Sequence, residues 1–173
     1  MDVFQSEVLD RLETDPEAFQ RTFKVETVWE DATRVTMKVG RNELSINCGC
    51  ENRFACANDP NHPPRPVEVA LGGLSTCICV AYVAIATRMG IKVNSARVEV
   101  EGDFDAVPMN NIFDDSPAPF SGFRLNVFFD SEATDEQLKE IDKLVLLKSP
   151  VYHMFAGQSK VKVKRHPAGS GSF

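Results

Sequence analysis

From Val69 to Thr87 the chain runs nineteen residues without a charged side chain. No other segment restricts the fold as strongly. The stretch reaches membrane-spanning length only barely. It is rich in Ala, Gly, Ser, Thr and Cys, and Glu68 and Arg88 close it. Pro66 stands in the first turn and Gly90 just past the end, the places those two residues favour in a helix. A helix that is apolar on nearly every side needs cover on nearly every side. The segment is therefore predicted to be a central helix, surrounded by sheet or by a partner subunit, with no membrane as partner.

Patterning around this helix predicts the rest. Apolar residues at Phe4, Val8, Leu9 and Leu12 have the spacing of an amphipathic helix, an appendage within residues 1–20. Phe23, Val25, Thr27 and Trp29 alternate with charged residues, as do Val35, Met37, Val39 and then Leu44, Ile46, Cys48 with polar ones. Short turns at Asp31–Thr33 and Gly40–Asn42 join them, which reads as an antiparallel meander with one wet face. Residues 49–65 carry three prolines and no period, a loop. Alternation returns at Val98, Val100, Phe104 and at Phe123, Leu125, Val127, Phe129, on either side of a long loop from Asp105. Thr134 with Gln137 forms a capping box ahead of the apolar stripe Leu138, Ile141, Leu144, Val145. Ser149-Pro150 starts a short helix, Val161 and Val163 mark a last strand, and residues 166–173 form a flexible Gly/Ser-rich tail. The expected order along the chain is thus α-βββ-α-ββ-αα-β, with residues 21–165 forming one domain after the helical appendage.

Charge and cysteine usage exclude several functions. A net charge of −6 argues against binding a phosphate backbone, so no nucleic-acid partner is expected. The basic run Lys160–Arg165 alternates with valine and reads as the solvated face of a strand. The first residues lack the basic and apolar regions of a secretion signal, and five cysteines, an odd number, fit a disulfide framework poorly. A reducing, cytoplasmic location is expected. Cys48, Cys50, Cys56 and His62, bordered by Asp59, would make a zinc set. Their Cys-x-Cys spacing is poor for closing a metal turn, and no bound metal is expected.

The run Pro66-Val67-Glu68-Val69-Ala70-Leu71-Gly72-Gly73-Leu74-Ser75-Thr76-Cys77, with the acidic strand Glu99-Val100-Glu101-Gly102-Asp103 behind it, resembles the signature of the OsmC/Ohr superfamily of osmotically inducible and organic hydroperoxide resistance proteins. Lys148-Ser149-Pro150-Val151 resembles its second signature, commonly Cys-Pro-Val. The likeness spans about Phe23 to Arg165. It implies an OsmC-like α+β fold, antiparallel curved sheets packed on two long central helices, built as an intertwined homodimer. It also implies thiol-dependent reduction of organic hydroperoxides without a bound cofactor.

Residue by residue, the resemblance makes Cys77 the reactive thiol. From spacing alone Cys77 reads better as a small buried hydrophobe, and it is the signature that reverses this. Cys79, about 200° further round the helix, points elsewhere. The resemblance makes Glu68 the carboxylate that holds an activating arginine, although nine residues put it on the far side of an unbroken helix. That leaves a bend at Gly72-Gly73, or service to a partner's site. Arg41 is the arginine candidate, with Arg53 behind it. Ser149, Tyr152 and His153 are expected to line the pocket. Ser149 is the main departure, because a hydroxyl cannot form a disulfide; resolution then falls to an external thiol reductant or to another cysteine. The rival reading is a non-catalytic member that binds a small apolar ligand in the dimer-interface pocket, and a weaker third is a zinc-stabilised scaffold.

Overall fold

The computed structural model describes residues 22–47, 63–104, 120–157 and 161–166, with isolated positions at 14, 15, 17, 20, 113 and 115–117. The amphipathic segment 3–12, the loop cysteines Cys48, Cys50 and Cys56, and Arg53, Asp59 and His62 lie outside the described residues. The chain divides into two compact units, residues 1–65 and 66–173.

The first unit carries β1 (Val25–Asp31), β2 (Arg34–Val39) and β3 (Asn42–Asn47), an antiparallel sheet in sequence order. Its register aligns Trp29 with Val35 and Val35 with Ile46, then Thr27 with Met37 and Met37 with Leu44. One face is therefore a continuous apolar row, as the alternation predicts. That face is only partly covered: Ile46 is buried, but Trp29 is 70% and Val25 53% exposed.

The second unit opens with α1 (Pro66–Arg88), an uninterrupted helix of 23 residues. Its end forms a Schellman motif. Ile91 N–H bonds Ala86 O at 2.9 Å, Gly90 N–H bonds Thr87 O at 3.0 Å, and Gly90 adopts φ +71°. Glycine takes that backbone without strain, and Ile91 and Ala86 both join the core. By length and composition α1 would also cross a bilayer. Only Leu74, Ile78, Tyr82 and Ala86 are buried on it.

Strands β4 (Val93–Phe104), β5 (Phe120–Ser131) and β6 (Val161–His166) form the second sheet, with β5 in the centre. Leu125, Val127 and Phe129 of β5 are buried, and Val98 and Val100 of β4 pack beside them. Gly102 sits under aromatic rings: a Cβ there would lie 2.9 Å from the Phe120 ring, so the position needs glycine. The opposite face is charged. Glu101 and Asp103 pair with Arg124, which holds the Asp103 carboxyl below the usual carboxylate range.

Two details differ from the sequence reading. Strand β4 begins at Val93, five residues before the alternation becomes visible. A register shift between Val93 and Ser95 lets Val93 and Ala96 share a face, which breaks the period of two. The second sheet is also not wholly antiparallel, since β6 runs parallel to β5. The connection from β5 to β6 passes through α2 (Asp135–Lys148) and α3 (Pro150–Ala156), and a helical crossover returns the chain in the same direction.

Helices α2 and α3 pack against α1. The predicted capping box is formed: Gln137 N–H donates to Thr134 Oγ1, and Thr134 N–H donates to Gln137 Oε1. Tyr82 ties three elements together. Its hydroxyl donates to Asp142 of α2 at 2.8 Å, and Arg165 Nε of β6 donates to the other carboxylate oxygen at 3.1 Å. Burial, with the Asp142 carboxylate behind it, raises the phenol's pKa, so the hydroxyl remains a donor. The Tyr82 ring also meets Phe129 of β5 at 5.3 Å.

Candidate active site

Cys77 lies in the middle of α1 at the edge of its packed side. Going round the helix at about 100° per residue, the buried residues Leu74 and Ile78 lie on one side of it. On the other side lie exposed Gly73, Thr76 and Val80, the last 61% exposed. The thiol is half-buried between the two. A cysteine on a fully packed face would be a filler. This one borders a surface from which another molecule can reach it.

The partner of Cys77 is Ser149. The Cys77 Sγ and Ser149 Oγ atoms are 3.1 Å apart, although the residues are separated by 72 positions in sequence. Ser149 is the junction of α2 and α3. As C-cap of α2 it donates its backbone N–H to Val145 O at 3.0 Å. As N-cap of α3, with Pro150 next, its hydroxyl accepts Tyr152 N–H at 3.2 Å. The residue is 1% exposed, and a buried hydroxyl is stable only when its hydrogen bonds are made. Here the helix start and the thiol make them.

Tyr152 is half-buried and takes part through its backbone. His153 is exposed, and its Nε2 lies 3.0 Å from Leu147 O. The carbonyl is an acceptor, so Nε2 carries a proton there and closes the last turn of α2. Cys79, as its spacing predicts, faces elsewhere: its thiol reaches Ala96 O of β4 at 3.8 Å, and burial pushes its pKa up. A raised thiol is a poor nucleophile.

Glu68 stands in the first turn of α1, exposed, and borders a cavity of ≈ 250 Å³ with Leu71, Gly72, Ser75, Val98 and Val100. Nine residues of unbroken helix put it about 180° from Cys77. Gly72-Gly73 does not bend the helix enough to interrupt it, so the structure does not bring Glu68 and Cys77 together within one chain. Arg41 is exposed in the β2–β3 turn of the other compact unit. Among the described residues no cluster of three His, Cys, Asp or Glu side chains could hold a metal ion.

The direct contact between Ser149 and Cys77 was not readable from spacing. The role of Tyr82 was better signalled: it falls on the i, i+4 stripe Leu74, Ile78, Tyr82, Ala86, and a buried phenol there needs an acceptor.

Residues 59–164, well over half of the chain, match the family model described as OsmC-like protein. The chain belongs to the OsmC-like family. Solved structures agree in fold. The OsmC-like protein from Mycoplasma pneumoniae superposes with a TM-score of 0.70 at 16% identity, over 87% of this chain and 99% of that one. The organic hydroperoxide resistance protein OhrB of Bacillus subtilis gives 0.60 at 18% identity, over 84% and 98%. An organic hydroperoxide resistance protein from Legionella pneumophila gives 0.61 at 14%, over 84% and 96%. No curated relative matches by sequence.

Proposed function

We propose that this OsmC-like chain reduces organic hydroperoxides through Cys77, acting as a cytoplasmic homodimer without a bound organic cofactor. The observation that carries the reading is the half-buried Cys77 thiol held against Ser149, two positions that resemble the family's two signature sites. The names of the Bacillus and Legionella proteins support the substrate class.

The chemistry is a two-electron transfer. The Cys77 thiolate attacks the outer peroxide oxygen, an S–O bond forms and the O–O bond breaks. The alkoxide leaves and takes a proton from water, giving an alcohol and a sulfenic acid on Cys77. In the next step an external thiol displaces water from that sulfur to give a mixed disulfide. A second thiol then attacks the mixed disulfide, releases Cys77 and leaves an external disulfide. Ser149 can take no part in the sulfur exchange, so the reductant comes from outside or from another cysteine of the chain. Glu68 acts in this reading from one copy to the site of the other, and Arg41 is the candidate for the activating arginine.

Cumene hydroperoxide consumption with excess dithiothreitol tests the proposal. Native protein is expected to turn over many equivalents per chain, Cys77→Ser to fall to the buffer rate, and Cys79→Ser to keep the native rate. If native protein and Cys77→Ser both run at the buffer rate, the alternative takes its place: a non-catalytic member binding a small apolar ligand in the dimer-interface pocket.

A further inference from the structure

We infer that Ser149 is the positioning residue of the Cys77 site: its hydroxyl donates to the sulfur and stabilises the thiolate. The inference rests on Cys77 being the reactive thiol and specifies what replaces the sulfur chemistry at position 149. The argument is one of counting hydrogens. Ser149 Oγ has a single hydrogen, and the Tyr152 N–H, 3.2 Å away, already occupies one of its lone pairs. With Cys77 protonated, either atom of the 3.1 Å pair donates. With Cys77 ionised, only the hydroxyl has a proton to give. An O–H bond to an anionic sulfur is charge-assisted, whereas S–H to oxygen is a weak bond, so the contact favours the ionised form.

Burial strengthens this. Ser149 is 1% exposed, so water does not compete for its proton, and the α2–α3 junction fixes its rotamer from both sides. Among the described residues of α2, α3, β4 and β5, which pack against α1, no charged side chain bonds the Cys77 sulfur, and the contact there is the Ser149 hydroxyl. Helix α3 carries only His153, whose ring is engaged at Leu147 O. On α2, Lys148 is exposed and Asp142 is engaged with Tyr82 and Arg165. A serine here therefore does more than cap a helix. It makes a one-thiol site, in which the same hydroxyl can hold the sulfenic acid until an outside thiol arrives.

The test is the alkylation rate of Cys77 with iodoacetamide, read at the Cys77 peptide by mass spectrometry across pH 5 to 10. Ser149→Ala is expected to react roughly tenfold more slowly at neutral pH, with the profile displaced to higher pH, the size of one hydrogen bond to a charged group. Ser149→Thr, which keeps the hydroxyl, is expected to restore the native profile. Thr134→Ala removes a helix cap of similar worth on α2 away from the thiol, and is expected to leave the profile unchanged. Equal profiles for native protein and Ser149→Ala, both folded by circular dichroism, would overturn the inference while leaving peroxide turnover standing. A slowed Ser149→Ala profile with no oxidation of native Cys77 by hydroperoxide would support it and remove the peroxidase reading instead.

Discussion

Replacing Ser149 by cysteine is expected to turn the site into one that closes a disulfide with Cys77 as soon as hydroperoxide is added. The Sγ and Oγ atoms are 3.1 Å apart, and an S–S bond of about 2.05 Å needs a shift of only about an ångström. In native protein the group that meets the Cys77 sulfur among the described residues is a hydroxyl, which cannot capture the sulfenic acid as a disulfide. Excess oxidant is then expected to carry a fraction of Cys77 on to sulfinic acid, the irreversible next step. The variant should escape this, because condensation with the introduced thiol is intramolecular. Linking two positions 72 residues apart should also stabilise the oxidised variant by about 4 kcal/mol against its reduced form. The reduced variant should lose about 1 kcal/mol relative to native, the worth of the serine cap at α3. Non-reducing peptide mapping and thermal melts read both effects. Folded Ser149→Cys protein that stays reduced at Cys77 under hydroperoxide would contradict the geometry. A native disulfide from Cys77 to Cys50 or Cys56 would show instead that the loop cysteines resolve the site.

Assembly gives the second large effect. In one chain the flank of α1 that carries Thr76, Val80 and Val83 is open, with Val80 61% and Val83 37% exposed. The apolar face of the first sheet is open too, at Trp29 and Val25. The proposed homodimer would cover such surface, with an interface at the upper end of the usual range of about 1,200–2,000 Å² or above it. Val80→Glu separates the two cases. On a free monomer surface it should change stability by no more than about 0.5 kcal/mol. In a buried interface an unpaired carboxylate should weaken association by several kcal/mol, a hundredfold or more in dissociation constant. Light scattering at micromolar concentration is expected to give a dimer for native protein and a monomer for the variant. A stable native monomer would remove the dimer, and with it the proposed cross-subunit role of Glu68.

Much of this architecture could be read in the sequence wherever the signal was local. The bounds of α1 follow from Pro66, Arg88 and Gly90, and Gly90 takes the left-handed conformation expected at a helix end. Thr134 and Gln137 make their capping box, and Ser149 makes its cap. The start of β4 was hidden because a bulge breaks its alternation. The parallel pairing of β6 depended on recognising α2 and α3 as a crossover rather than on any residue of β6 itself. At the site, Cys77 and Ser149 each stood out, but 72 positions of chain carry no information on their 3.1 Å separation. Glu68 shows the reverse: its helical phase relative to Cys77 was calculable, and the unbroken helix keeps the two on opposite sides.

One measurement tests directly whether Cys77 is the thiol that hydroperoxide oxidises. Native protein is treated with one equivalent of cumene hydroperoxide, trapped with dimedone, and every cysteine peptide is read by mass spectrometry. The dimedone adduct is expected on Cys77 ahead of all other cysteines, with Cys79 unmodified, and it should disappear when a thiol reductant is added before the trap. Folded protein in which Cys77 stays reduced while hydroperoxide persists, or in which another cysteine is oxidised first, would contradict the account.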